Sequence, residues 1–165
     1  IRAAAETTSM LYIQADSTGV VREPDDVNNV SDGLEVCLAE PDSYEEDDSA
    51  SVAVQIGLGD SQRHNVNKLG DEDWIVFTAS AGVPYTIRTS DLGPNADTYL
   101  YLYDTDGTTL LTSNDDYSNT LASRIDWVTP VTRTYYIKSK HWNPNVAGCG
   151  TGYDLELKQY AACQI

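Results

Sequence analysis

Two knots of carboxylates carry the most chemistry in this sequence. Glu45, Glu46, Asp47 and Asp48 form one; Asp71 and Asp73 belong to the other, inside Gly70-Asp71-Glu72-Asp73-Trp74-Ile75-Val76-Phe77. Carboxylates crowded at the mouth of a strand repel each other unless they are solvated or share a cation. Their oxygens are hard donors. A shared hard cation between the two clusters, calcium with its roughly six to eight oxygen ligands, is the reading they suggest. A further acidic group comprises Asp97, Asp104, Asp106, Asn114, Asp115 and Asp116. A second calcium near Asp104 and Asp115 is one reading of it. The simpler one makes Asp104-Thr105-Asp106-Gly107 a hairpin turn, because Asp-Gly fits a type I′ loop.

The residues for catalysis are not assembled. His64 and His141 are the only histidines, and neither His-Glu-x-x-His nor Gly-x-Ser-x-Gly occurs. His64 reads as structural at a strand end, and His141, beside Trp142, as a surface residue. The carboxylates cluster in short turns, which favours a cation over the acid/base split of a glycosidase. The chain is therefore expected not to be an enzyme.

The elements that position these residues follow from a period of two. Trp74, Val76 and Ala79 are read against Ile75 and Phe77 as a strand packed on both faces. Strands are expected near 52–57, 63–68, 74–79, 84–90, 98–104, 108–112, 122–128, 133–139 and 152–159. Turn signals separate them, including Ala81-Gly82, Gly93-Pro94-Asn95 and Asn143-Pro144-Asn145. No helical period intervenes, so the fold class is all-β: an antiparallel β-sandwich, jelly-roll-like, of eight or nine strands. It is expected over residues 41–165, after an extended arm or linker over 1–40. In Thr98-Tyr99-Leu100-Tyr101-Leu102-Tyr103 the leucines face the core. Tyr99, Tyr101 and Tyr103, with Tyr135 or Tyr136, form a candidate ligand-binding face or a second core layer.

The chain has 165 residues, with 10 basic and 26 acidic side chains and a net charge of −16. This balance excludes nucleic acid and anionic membranes as expected partners. No apolar run reaches the roughly 20 residues of a membrane helix. The chain begins at Ile1 rather than Met, which reads as a mature, processed or trimmed form. Cys37, Cys149 and Cys163 form no C-x-x-C. Cys149 and Cys163 flank an expected strand, so the expected disulfide joins Cys37 to Cys149 or Cys163, and three free thiols are the alternative. Asn29-Val30-Ser31 is a glycosylation sequon.

Several blocks, in order, resemble the bacterial pre-peptidase C-terminal domain family from about Asp42 to Lys158. They include Tyr44-Glu45-Glu46-Asp47-Asp48-Ser49, His64-Asn65-Val66, Gly70 to Phe77, and Ala81-Gly82-Val83-Pro84-Tyr85-Thr86-Ile87. Asp97 to Asp104, Asn114-Asp115-Asp116, Ser123 to Trp127, Tyr135-Tyr136-Ile137 and Gly152-Tyr153-Asp154-Leu155 follow. The resemblance implies a secreted, non-catalytic β-sandwich related to the collagen-binding domains of clostridial collagenases. In those relatives an incoming Glu-Pro-Asn-Asp motif and a turn before an aromatic strand hold calcium. Glu45, Asp47 and Asp48 match the first, third and fourth positions of that motif, with Glu46 in place of proline. Asp73 matches the acid of the second segment, and Asp71 lies two residues earlier rather than three. Glu23-Pro24-Asp25-Asp26 fits the incoming motif more closely letter for letter. It stands 47 positions before Asp73, against 25 for Asp48, and the shorter spacing suits one intervening hairpin.

Two functions of different classes are expected from these features. One is a calcium-stabilised structural subunit of an extracellular or bacterial cell-surface fibre or layer. It would assemble as a homo-oligomer by donating the strand-like Met10-Leu11-Tyr12-Ile13 to a neighbour. The other is an accessory binding or adhesion module of a larger secreted peptidase or adhesin, gripping collagen, another matrix component, polysaccharide or a cell surface through the tyrosine face.

Overall fold

The computed structural model describes residues 6–11 and 34–160. Within this range the chain forms β1 (Glu6–Leu11), β2 (Leu34–Ala39), β3 (Val54–Gln55), β4 (Ser61–His64), β5 (Glu72–Ala79) and β6 (Pro84–Ser90). It continues through β7 (Thr98–Tyr103), β8 (Leu110–Asn114), β9 (Arg124–Val128), β10 (Arg133–His141) and β11 (Tyr153–Gln159). A single 3-10 turn, Ala50–Val52, precedes β3.

Strands β3 to β11 build the expected sandwich. One sheet runs β3-β5-β10-β7-β8 and the other β4-β11-β6-β9. All neighbouring pairs are antiparallel except β3 with β5. Two expected strands are shorter than their sequence signal. The 3-10 turn takes the start of 52–57, and 63–68 ends at His64, where Asn65 and Asn67 turn to bond loop groups.

The inner faces follow from alternation. Ile75, Phe77, Ala79, Leu100, Leu102, Tyr135 and Ile137 from one sheet meet Tyr85, Ile87, Ile125, Tyr153, Leu155 and Leu157 from the other. Phe77, Tyr85, Trp127 and Tyr135 pack at ring-centroid distances of 4.6–6.5 Å. The expectation for Ala79 needs correction: it shares the inward face of Ile75 and Phe77, while Trp74 and Val76 point outward. Asp73 has the same parity as Ile75. The strand's own period therefore carries a carboxylate into one end of the core.

Strands β1 and β2 pair antiparallel in a separate two-stranded sheet, from Glu6↔Ala39 to Leu11↔Leu34. Met10 and Leu11 of the expected donated strand lie in β1, opposite Glu35 and Leu34 of the same chain. Tyr12 and Ile13 lie outside the described residues, as do the sequon at Asn29, Glu23 to Asp26 and Cys163.

Candidate metal centre

Four segments converge at the polar end of the sandwich. The loop 40–49 runs in beside the sheets and is fastened to β5 by Trp74 N–H donating to Asp47 O at 3.0 Å. It carries Asp42, Glu45, Asp47 and Asp48. The turn before β5 carries Asp71, β5 carries Asp73, and the last residue of β4 is His64. Asp47 and His64 are fully buried, and Asp71 and Asp73 are nearly so.

All five expected ligands meet here. Oxygens of Glu45, Asp47 and Asp73 gather within 4.8 Å of one another, as do those of Glu45, Asp48 and Asp71. Glu72 points the other way, accepting from Lys138 Nζ at 2.9 Å and Trp74 Nε1 at 3.2 Å on the outer face. Glu46 is exposed.

The hydrogen bonds at this end orient the carboxylates but leave them unsatisfied. Asn67 N–H donates to Asp71 Oδ2 at 2.8 Å, and Asn67 Nδ2 donates to Glu45 Oε1. Lys68 Nζ reaches Asp48 Oδ2 at 2.6 Å at the solvent rim. The Tyr153 hydroxyl donates to Asp73 Oδ2. Glu45 Oε2, both oxygens of Asp47, Asp71 Oδ1 and Asp73 Oδ1 are buried with no hydrogen-bond partner.

Charged oxygens stripped of water and partners are costly, and the electrostatics reflect it. Burial, with Asp73 beside it, pushes Asp47 up to about 8 and Asp71 up to about 7. Burial likewise raises Asp42 and Glu45. Either protons or a cation must neutralise this end of the core. The donor set is all oxygen, multiply anionic and drawn from two segments, which fits a hard divalent ion of calcium's preference.

The remaining expected sites are less uniform. Tyr99, Tyr101 and Tyr103 line the outer face of their sheet, half-buried and stacked, with centroids 4.4 Å and 6.4 Å apart. Trp74 stacks on Tyr103 at 5.1 Å, and Lys138 lies over Tyr101 at 4.9 Å. Tyr135 is not part of this face. It pairs with Phe77, is buried in the core and bonds Thr129 Oγ1 at 2.6 Å. Its neighbour Tyr136 is the one that looks outward, opposite Tyr103. His141 is buried rather than superficial. Its Nε2 lies 3.0 Å from Asn95 O, and its Nδ1 accepts from Asn143 N–H at 2.9 Å.

The second acidic group divides. Asp106 closes its turn by accepting from Thr108 and Thr109 N–H at 2.9 Å and 2.8 Å, as a hairpin requires. Asp97, Asp115 and Asp116 come together without Asp104 or Asp106. Asp42 and Tyr153 were not anticipated at this acidic cluster. The alternation Tyr153, Leu155, Leu157 is the sequence signal for the second; Asp42 has none.

Residues 71–138 match the bacterial pre-peptidase C-terminal domain family. The match takes in Asp71, Asp73, the tyrosine ladder and the strands β5 to β9. Among solved structures, the pre-peptidase C-terminal domain of collagenase from Bacillus anthracis is similar, with 17% identity and a TM-score of 0.50. The alignment covers 64% of this chain and 94% of that one. Aeromonas hydrophila PliG, a periplasmic inhibitor of g-type lysozyme, aligns at 14% identity and a TM-score of 0.48, over 66% of this chain and 96% of its own. No match was found among curated proteins. At these identities the likeness concerns the sandwich fold alone.

Proposed function

We propose that this chain is a non-catalytic, extracellular or envelope accessory module whose incoming loop is clamped to the sandwich by calcium. The observation that carries the reading is the set of buried, unpartnered oxygens of Glu45, Asp47, Asp71 and Asp73, contributed by the loop 40–49 and by β5 with its preceding turn. One cation held by both would neutralise the cluster and fix the loop in one step. Pre-peptidase C-terminal domains are accessory modules of secreted peptidases, which agrees with a role beside catalysis rather than in it.

The test is calcium titration of chelator-stripped protein, followed by calorimetry and limited proteolysis. Calcium is expected to raise the melting temperature and to protect residues 40–50 from cleavage. Identical cleavage with and without chelator would refute the clamp. Asp48→Asn should weaken calcium at least about tenfold while leaving the core intact, because Asp48 sits at the rim.

The surface presented by such a module is the outer ladder of Trp74, Tyr99, Tyr101, Tyr103 and Tyr136, with Lys138 and Lys140 among the rings. Amphipathic rings with cations between them suit an extended extracellular ligand such as a matrix protein or polysaccharide. We place this reading ahead of fibre assembly because β1 is already paired with β2 of its own chain. Assembly is favoured by one feature, the edge strand β8 with Leu110 and Leu111 exposed. Sedimentation across a range of concentrations separates the two. The disulfide belongs to the same proposal. Cys149 is half-buried, and peptide mapping without reduction tests a bond from it to Cys37 or Cys163.

A further inference from the structure

His64 has a role that the calcium clamp does not require. Its ring is fully buried and lies between two tyrosines, with Tyr44 at 4.9 Å and Tyr153 at 5.9 Å between centroids. Gln62 stands at its far nitrogen. The Gln62 amide donates from Nε2 to Gln55 O at 3.0 Å, which turns Oε1 toward His64 Nε2 at 3.4 Å. With its hydrogen on Nε2, facing that oxygen, the neutral ring carries its lone pair on Nδ1.

That lone pair faces carboxylates. Asp73 Oδ1 is 3.4 Å from Nδ1, Asp42 Oδ2 is 3.8 Å and Asp47 Oδ2 is 4.0 Å. His64 Nδ1 makes no hydrogen bond, and neither do Asp73 Oδ1 and Asp47 Oδ2. A lone pair aimed at anionic oxygens in a buried pocket is repulsive unless a cation stands between them. A proton on Nδ1 fits poorly, since a charge-assisted N–H···O bond spans about 2.7–2.9 Å. A larger cation fits the 3.4 Å between Nδ1 and Asp73 Oδ1, since donors about 2.0–2.1 Å from a tetrahedral ion stand roughly 3.3–3.4 Å apart, and it would draw Asp42 in from 3.8 Å.

We infer that His64, Asp73 and Asp42, with Asp47 beside them, form a second cation centre of mixed nitrogen and oxygen donors, suited to a zinc-class divalent ion. Imidazole nitrogen selects such ions over calcium. The outer contacts match those of a metal-bound histidine, whose far nitrogen donates to an oriented acceptor. Asp42 is likewise held from outside, accepting from Tyr44 N–H at 2.9 Å and Asn65 N–H at 3.0 Å. The inference rests on His64 and Asp42, which the calcium clamp does not use, and shares Asp47 and Asp73 Oδ1 with it.

Cobalt(II) added to metal-stripped protein in saturating calcium is the probe. Wild-type protein is expected to take up one cobalt, with visible absorption typical of low coordination. An exchangeable, paramagnetically shifted proton is also expected, from His64 Nε2–H. His141 cannot supply that signal, because both its nitrogens are engaged. His64→Gln should lose cobalt affinity more than about tenfold and keep calcium, whereas Asp48→Asn should lose calcium and keep cobalt. Cobalt that binds wild-type protein without the shifted proton, no cobalt binding at millimolar metal, or unchanged affinity in folded His64→Gln overturns the inference. If His64→Gln does not fold, the wild-type proton spectrum decides alone.

Discussion

The Tyr153 hydroxyl on β11 donates to Asp73 Oδ2 on β5, so one hydrogen bond joins the two sheets at the acidic end of the core. Tyr153 is fully buried, and burial beside Asp73 holds its phenol well above the usual range, so the hydroxyl keeps its proton. Tyr153→Phe would preserve the ring packing and strip Asp73 of this donor. A loss of about 1–3 kcal/mol is expected, the cost of an unsatisfied buried acceptor. Urea unfolding measures it, and a midpoint equal to that of the wild type would disprove the role.

Acid should stabilise the calcium-free protein. Asp47 and Asp71 have folded-state values of about 8 and about 7, above the roughly 3.9 of an unfolded aspartate. The folded state therefore binds more protons across that interval, and stability falls as pH rises through it. Between pH 5 and pH 8 the melting temperature in chelator should drop by on the order of 10 °C. Calcium should flatten the profile, and a parallel fall with calcium present would contradict the proposed neutralisation.

The two tyrosine environments predict opposite phenotypes. Tyr135→Ala would empty a core position between Phe77 and Trp127 and should cost about 3–5 kcal/mol. Tyr101→Ala, on the outer ladder, should cost about 1 kcal/mol and instead weaken retention on an extended ligand. Denaturant melts paired with binding to immobilised collagen or polysaccharide compare them. Equal destabilisation would mean that the outer ladder is a packing layer.

Glu156 offers a control remote from the acidic cluster. Arg88 holds its carboxylate 2.8 Å away, with Lys158 and Ser90 also in contact, and its value falls to about 2. A depressed value stabilises above the unfolded range and is lost as pH falls toward 2. Because Arg88 and Lys158 are partly solvated, a discounted contribution of about 1–2 kcal/mol is expected. Glu156→Gln should remove it at pH 7 and leave stability at pH 2 unchanged, as read by chemical denaturation.

The sandwich was legible because strand alternation and turn chemistry are local. Burial of Ile75, Phe77, Leu100 and Leu102 follows from neighbours two positions apart, and the strands from β5 onward lie close to their sequence signals. The convergence of Glu45, Asp47, Asp48, Asp71 and Asp73 was also legible, through motif spacing. Parity failed where two candidates adjoined: Tyr135 and Tyr136 have the same chemistry, and only the register with Phe77 and Val76 decides which enters the core. Tertiary structure alone decided that Asp42 and His64 meet Asp73. Those three residues come from a loop, β4 and β5, and β4 and β5 belong to different sheets. Their contact depends on how the sheets face each other, a long-range relation that no local period encodes.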